Sequence, residues 1–315
     1  MQYKMLDIQS IREEPAIVHC SSLLESGKKQ LLCVWYQGSY ETSGDTKIML
    51  SRKVVDSNKW DAPEILFDFN GIPLGNPVLW KKDRILYVTF SVLMEESWKS
   101  SLLFYSSSKD DGVTWSAASL FLPKKGFMPK TQPIQTSEGN ILFPLYHEVD
   151  YCPYVMIIKD MNNVLFSPLV AETMARNKAI QPVICALDEE RLLMFCRTNQ
   201  GTIWRSISYN NGYSWSICEA TKLPNPDSAV DLISCDGNKL LLISNPSASD
   251  RHSLQLSVSV DYGESWSAAM TIIEGPGEYS YPCLIQDSLG NIQITYTENR
   301  YKIKHVEVSR TELPL

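Results

Sequence analysis

Short apolar runs separated by polar turns dominate the chain. "QLLCVWYQG", "RILYVTFSV", "NILFPLYHE", "RLLMFCRT", "KLLLISNP" and "NIQITYTEN" each follow a charged or Gly/Asn-containing turn. Their length and bounding residues predict β-strands joined as hairpins, and almost no stretch carries a helical period. A polar phrase punctuates these runs. "SKDDGVTW" begins at Ser108, "SYNNGYSW" at Ser208 and "SVDYGESW" at Ser259, 100 and 51 residues apart. The wider gap holds an eroded copy, "IKDMNNVL" at 158–165, which keeps Asp160 but has Asn162 for the glycine and Leu165 for the tryptophan. Upstream, "SRKVVDSNKW" from Ser51 to Trp60 reads as a longer variant.

An all-β repeat of about 50 residues matches one four-stranded propeller blade. The 315 residues hold about six such repeats. The expected fold is therefore all-β, a six-bladed β-propeller of four-stranded antiparallel blades forming a single domain over residues 1–315. Its last blade would join "NIQITYTENR" and "YKIKHVEVS" to a strand from the N-terminus, which protects sheet edges. The phrase itself has a mechanical reading: the Asp accepts from turn amides, the Gly permits positive φ, and the Trp packs back on the hairpin. Asn210 in the second copy keeps the turn bonds without the charge.

Composition narrows the function classes. The chain is 44% hydrophobic and 21% charged, with net charge −7, and its basic residues form no run beyond pairs such as Lys124-Lys125. No electrostatic footprint for nucleic acid is present. Residues 1–15 lack an apolar core and no eighteen apolar residues run together, so a cytoplasmic chain without signal peptide or membrane span is expected. The eight cysteines (Cys20, Cys33, Cys152, Cys185, Cys196, Cys218, Cys235 and Cys283) stand singly in apolar stretches, which reads as buried reduced thiols. His147, His252 and His305 are dispersed without ligand spacing, so neither metal nor cofactor is expected.

The repeated phrase resembles the Asp-box, or BNR, repeat of sialidases. The segments "NKAIQPVICALDEERLLMFCRTNQGTIWRS", "LPNPDSAVDLI" and "GEYSYPCLIQDSLGNIQITYTENRYKIKHV" are similar to the bacterial branch described as predicted neuraminidases. That resemblance implies a site at the mouth of the propeller, opposite the boxes, and a glycan or glycoside substrate. Sialidases hold a sugar carboxylate with three arginines, attack with a tyrosine helped by a glutamate, and use an aspartate as acid/base. A neutral phenol approaches an anionic sugar with less repulsion than a carboxylate, and guanidinium forks suit the carboxylate.

Carried over residue by residue, the resemblance places His19 of "HCSSL" where the first arginine is expected and Asp45 at the acid/base position. Gln181 stands where the glutamate is expected, with Arg197 as the second arginine and Arg251 as the third. Tyr279 matches the nucleophile, and Tyr281 is a near competitor. Glu278, Glu148 and Glu298 are candidates to replace the missing base, while Arg300 and Lys130 are further cations for the mouth. The expected activity is sialidase-like exo-glycosidase hydrolysis of a terminal acidic sugar. The alternative is a catalytically silent propeller that binds glycans or proteins.

Overall fold

The computed structural model describes residues 3–10, 16–27, 29–160, 163–167, 176–235 and 239–313. These residues form antiparallel strands and two single-turn 3-10 helices. No helix among the described residues is long and apolar enough to cross a membrane. Two compact units are distinguished, residues 1–130 with 281–312 and residues 131–280 with 313–315.

The first unit opens with β1 (Tyr3–Ser10). One blade follows as β2 (Ile17–Glu25), β3 (Gln30–Gly38), β4 (Lys47–Val54) and β5 (Glu64–Phe67), paired in that order. The next is β6 (Leu74–Lys82), β7 (Ile85–Leu93), β8 (Ser101–Ser108) and β9 (Ser119–Leu122), followed by the short strand β10 (Phe127–Pro129). Leu32 and Val34 of β3 pack with Leu79, Val88 and Phe90 into an apolar core between these two blades.

The second unit contains β11 (Ile134–Gln135), β12 (Ile141–His147), β13 (Cys152–Asp160) and β14 (Asn163–Ser167), paired in sequence. Two further blades are β15 (Ala179–Ala186), β16 (Leu192–Thr198), β17 (Thr202–Ser208) and β18 (Glu219–Pro224), then β19 (Asp231–Ser234), β20 (Leu240–Ser244), β21 (Ser253–Ser259) and β22 (Ser267–Glu274). The chain re-enters the first unit within β23 (Tyr279–Gln286), and β24 (Ile292–Glu298) and β25 (Lys302–Val308) follow. That sheet has the order β1-β25-β24-β23. Six antiparallel sheets result, five of four strands and one of five, the composition of a six-bladed β-propeller.

The first strand of several blades carries a shared irregularity. Pairing skips between His19 and Ser22 in β2, between Gly75 and Val78 in β6, and between Ile180 and Val183 in β15. Cys20, Asn76 and Gln181 lie at these skips in left-handed backbone, as does Tyr281 in β23, with φ between 45° and 57°. Asn76, Gln181 and Tyr281 each precede a proline, whose missing N–H is tolerated only where the ladder is broken. A bulge re-aims its side chain, which is how a strand otherwise buried on both faces can present a polar group.

The polar phrases close on themselves. Ser108 Oγ donates to Asp110 Oδ1 at 2.7 Å and accepts from the Gly112 amide at 2.9 Å, and Asp110 Oδ1 also accepts the Thr114 amide at 2.9 Å. Ser259, Asp261, Gly263 and Ser265 repeat this pattern, and Asn210 accepts the Ser214 amide in the second copy. The eroded copy falls partly outside the described residues, at Met161 and Asn162. Seven of the eight cysteines are buried, Cys235 being half-buried.

Candidate active site

In the second unit, the register Ile180↔Arg197 sets the last turn of β16 beside the bulge of β15. Arg197 Nη1 donates to Gln181 Oε1 at 3.1 Å, and its Nε donates to Asp227 Oδ1 at 2.7 Å. Asp227 sits in left-handed backbone, φ 53°, in the loop before β19. Asn225 braces that loop: its Oδ1 accepts from the Thr198 amide at 3.3 Å and the Ser228 amide at 3.1 Å, while its Nδ2 donates to the Ser228 carbonyl. Arg251, from the turn before β21, donates Nη2 to the Asp227 carbonyl at 2.6 Å and Nη1 to Glu278 Oε1 at 3.0 Å. The Ser280 hydroxyl donates to the same Glu278 oxygen at 3.1 Å.

Tyr151, φ 47°, completes this group by donating its hydroxyl to Asp227 Oδ1 at 3.0 Å. Burial opposes ionisation of Asp227, yet the Arg197 bond and charge, the Tyr151 hydroxyl and the Arg251 charge outweigh it and hold the carboxyl below its usual range. Burial and the neighbouring Asp227 charge push the Tyr151 phenol well above its ordinary value, with Arg197 opposing them. Glu148 adds a negative charge near Tyr151. Tyr279 is buried, its amide bonded to the Arg251 carbonyl at 2.8 Å and its carbonyl to Asn245 Nδ2 at 2.9 Å. A Cβ on Gly275 would stand 3.0 Å from the Tyr279 hydroxyl, so the phenol is seated directly under the glycine.

In the first unit, His19 is buried, and its Nδ1 lies 3.1 Å from Thr297 Oγ1. Its ring sits 4.1 Å from that of Tyr281 and 5.9 Å from that of Tyr36. Lys130 is only 3% exposed, with Nζ donating to the Pro282 carbonyl at 3.1 Å and lying 5.6 Å from the Tyr281 ring centre. It is therefore no loose surface cation. Arg300, φ 60°, pairs with Glu41, and Glu298 pairs with Lys302 and Lys304. Asp45 borders a shallow groove of about 350 Å³ with Gln37, Ser39 and Lys47. Its carboxylate accepts the Ser39 amide at 3.1 Å and the Ser39 hydroxyl at 2.5 Å. Slight burial works against ionisation, but bonds from Ser39 and Ser43 hold Asp45 below its usual range.

Of the residues singled out in the sequence, Gln181, Arg197, Arg251 and Glu278 are thus joined through Asp227. His19, Tyr281 and Lys130 form a second group, in the first unit. Asp227 and Tyr151 carried no signal of their own beyond turn-forming surroundings, and their roles come from partners distant in the chain. Among the described residues, no cluster of three or more His, Cys, Asp or Glu side chains is arranged to hold a metal ion.

A family model described as a BNR repeat-like domain matches residues 29–294. A sialidase of Bacteroides fragilis is 24% identical, the match covering 90% of this chain and 60% of that protein. The chain therefore spans about 60% of the length of this curated relative. Among solved structures, a Hadza microbial sialidase superposes with TM-score 0.79 at 16% identity, over 94% of this chain and 66% of that one. The intramolecular trans-sialidase from Ruminococcus gnavus, in complex with oseltamivir carboxylate, gives TM-score 0.79 at 13% identity, over 98% of this chain and 97% of its own. With the family model covering most of its length and six antiparallel sheets in place, the chain belongs to the BNR repeat-like family and has the six-bladed β-propeller fold of the sialidases.

Proposed function

We propose that this protein is a sialidase-like exo-glycosidase that hydrolyses a terminal acidic sugar from a glycan. The observation that carries the reading is the meeting of Arg197 and Arg251 at one residue, Asp227, although they come from different blades. Two guanidinium groups held together by backbone and side-chain acceptors suit a planar carboxylate, which each can bind through a fork of parallel N–H donors. The sialidase and trans-sialidase names of the relatives support the same class.

In this scheme Arg197 and Arg251 orient the sugar by its carboxylate, and the Tyr279 hydroxyl attacks the anomeric carbon. The phenol proton passes to Glu278, the carboxylate adjacent in the chain, whose position is fixed by Arg251 and Ser280. Asp45 protonates the leaving oxygen and then takes a proton from the water that releases the sugar, giving retention of configuration. The serines bonded to Asp45 favour its ionised form, which suits the second half of that role.

The experiment is release of free sugar from sialosides, from Kdn- and Kdo-terminated glycans and from uronic-acid oligosaccharides by the purified protein. Turnover on at least one is expected. Absence of release from all three groups, with glycan binding intact, would mark a binding propeller instead and overturn the proposal.

A further inference from the structure

Both arginines of the second unit are already engaged by the protein itself. Arg197 gives Nε to the Asp227 carboxylate and Nη1 to Gln181. Arg251 gives Nη1 to Glu278 and Nη2 to the Asp227 carbonyl. A carboxylate gripped by a guanidinium fork needs two parallel donors. A sugar carboxylate can take a fork that includes Nε, or the Nη1 hydrogen now given to Gln181, only when the acceptor there yields.

Burial and chemistry decide which one yields. Gln181 is 2% exposed and sits at the β15 bulge, so moving its amide means disturbing the strand. The Asp227 side chain is 40% exposed, lies on a loop and presents the same chemical group as the incoming ligand. The loop is braced at Asn225, so the Asp227 carboxylate can turn about its own side-chain bonds, releasing Arg197 and Tyr151, while the backbone stays in place. Charge points the same way: Arg197 and Arg251 are matched by Asp227 and Glu278, so the group of four is electrically balanced before any ligand arrives.

We propose that Asp227 is a specificity-determining residue of this site, an internal carboxylate that occupies the Nε edge of Arg197, competes with anionic sugars and is displaced when one binds. The inference rests on the acidic-sugar reading above and deepens it. Affinity for the sugar carboxylate is then the difference between two similar charge-assisted bonds, not the whole of one. Tyr151 acts through Asp227 as a positioning residue, since its hydroxyl donates to the oxygen that Arg197 also holds.

The test compares the wild type, Asp227→Asn and Tyr151→Phe by calorimetric titration with 2-deoxy-2,3-didehydro-N-acetylneuraminic acid, its methyl ester and glucuronate. Asparagine tolerates the left-handed backbone at this position, so the substitution removes charge with little strain. Asp227→Asn is expected to raise the acid-to-ester affinity ratio about tenfold, with a steeper loss on adding salt. Tyr151→Phe is expected to move that ratio the same way by a smaller factor. A ratio unchanged or lowered in Asp227→Asn overturns the inference, and so does failure of both proteins to bind either acid. Turnover is read separately. If the wild type releases only neutral sugars while Asp227→Asn gains affinity for the acids, the acidic-sugar reading falls and the role of Asp227 stands.

Discussion

His19 lies ring to ring with Tyr281, 4.1 Å between centres. The imidazole is 2% exposed, has Thr297 on its Nδ1 side and shares Tyr281 with the buried Lys130. An arginine at this point would be larger and would add a second buried cation. His19→Arg is accordingly expected to lower stability by about 2 kcal/mol or more without raising turnover. Denaturant unfolding alongside an activity assay checks this, and a variant that gains activity at unchanged stability would show the position to be open to the sugar.

His305 should give the fold a measurable acid sensitivity. It is wholly buried, with Nε2 2.7 Å from Gln293 Oε1, and burial with the charges of Lys53 and Lys4 pushes its pKa down to about 3. The unfolded chain takes up this proton below about pH 6.5, while the folded chain stays neutral. Unfolding free energy therefore falls between about pH 6.5 and 3, by at most about 1.4 kcal/mol per pH unit from this group. His305→Gln should remove that share, so the stability difference between wild type and variant should change from pH 7 to pH 5. A constant difference would refute the assignment.

The blade turns offer a steric test. Gly112 has φ +85°, and a Cβ there would stand 2.6 Å from Leu32 Cδ1. Gly139 has φ +81°, with its nearest neighbour at 3.9 Å. Gly112→Ala is expected to lose about 2–4 kcal/mol, backbone strain plus overpacking, whereas Gly139→Ala loses about 1 kcal/mol from strain alone. Equal losses in urea unfolding would show that the contact with Leu32 is soft.

The two tyrosines separated by Ser280 differ in environment, and so should their variants. Tyr279→Phe is expected to abolish turnover with a thermal midpoint within a few degrees of wild type. Tyr281→Phe keeps the ring against His19 and Lys130 and should retain most activity. The opposite ranking in single-turnover assays would transfer the nucleophile to Tyr281.

Much of the architecture was legible along the chain. Short apolar runs bounded by polar turns and the recurrence of Ser108, Ser208 and Ser259 in like phrases are local signals, and each turn closes on its own atoms, as the Ser108–Asp110–Thr114 bonds show. Such features need only a few neighbouring residues, so composition and spacing carry them.

The candidate site was legible only as a set of residue types. That Arg197, Arg251 and Tyr151 all turn to Asp227, or that Lys130 is buried against Pro282, depends on loop conformations and registers linking residues far apart in sequence. Left-handed backbone at Gln181, Asp227 and Tyr281 directs these side chains, and no local pattern announces it at a non-glycine residue. The sequence by itself determined the blades, because an apolar run of strand length and the turn that ends it are properties of each segment alone; which charges neutralise one another was decided only by the tertiary structure, because an ion pair is a property of distance in space.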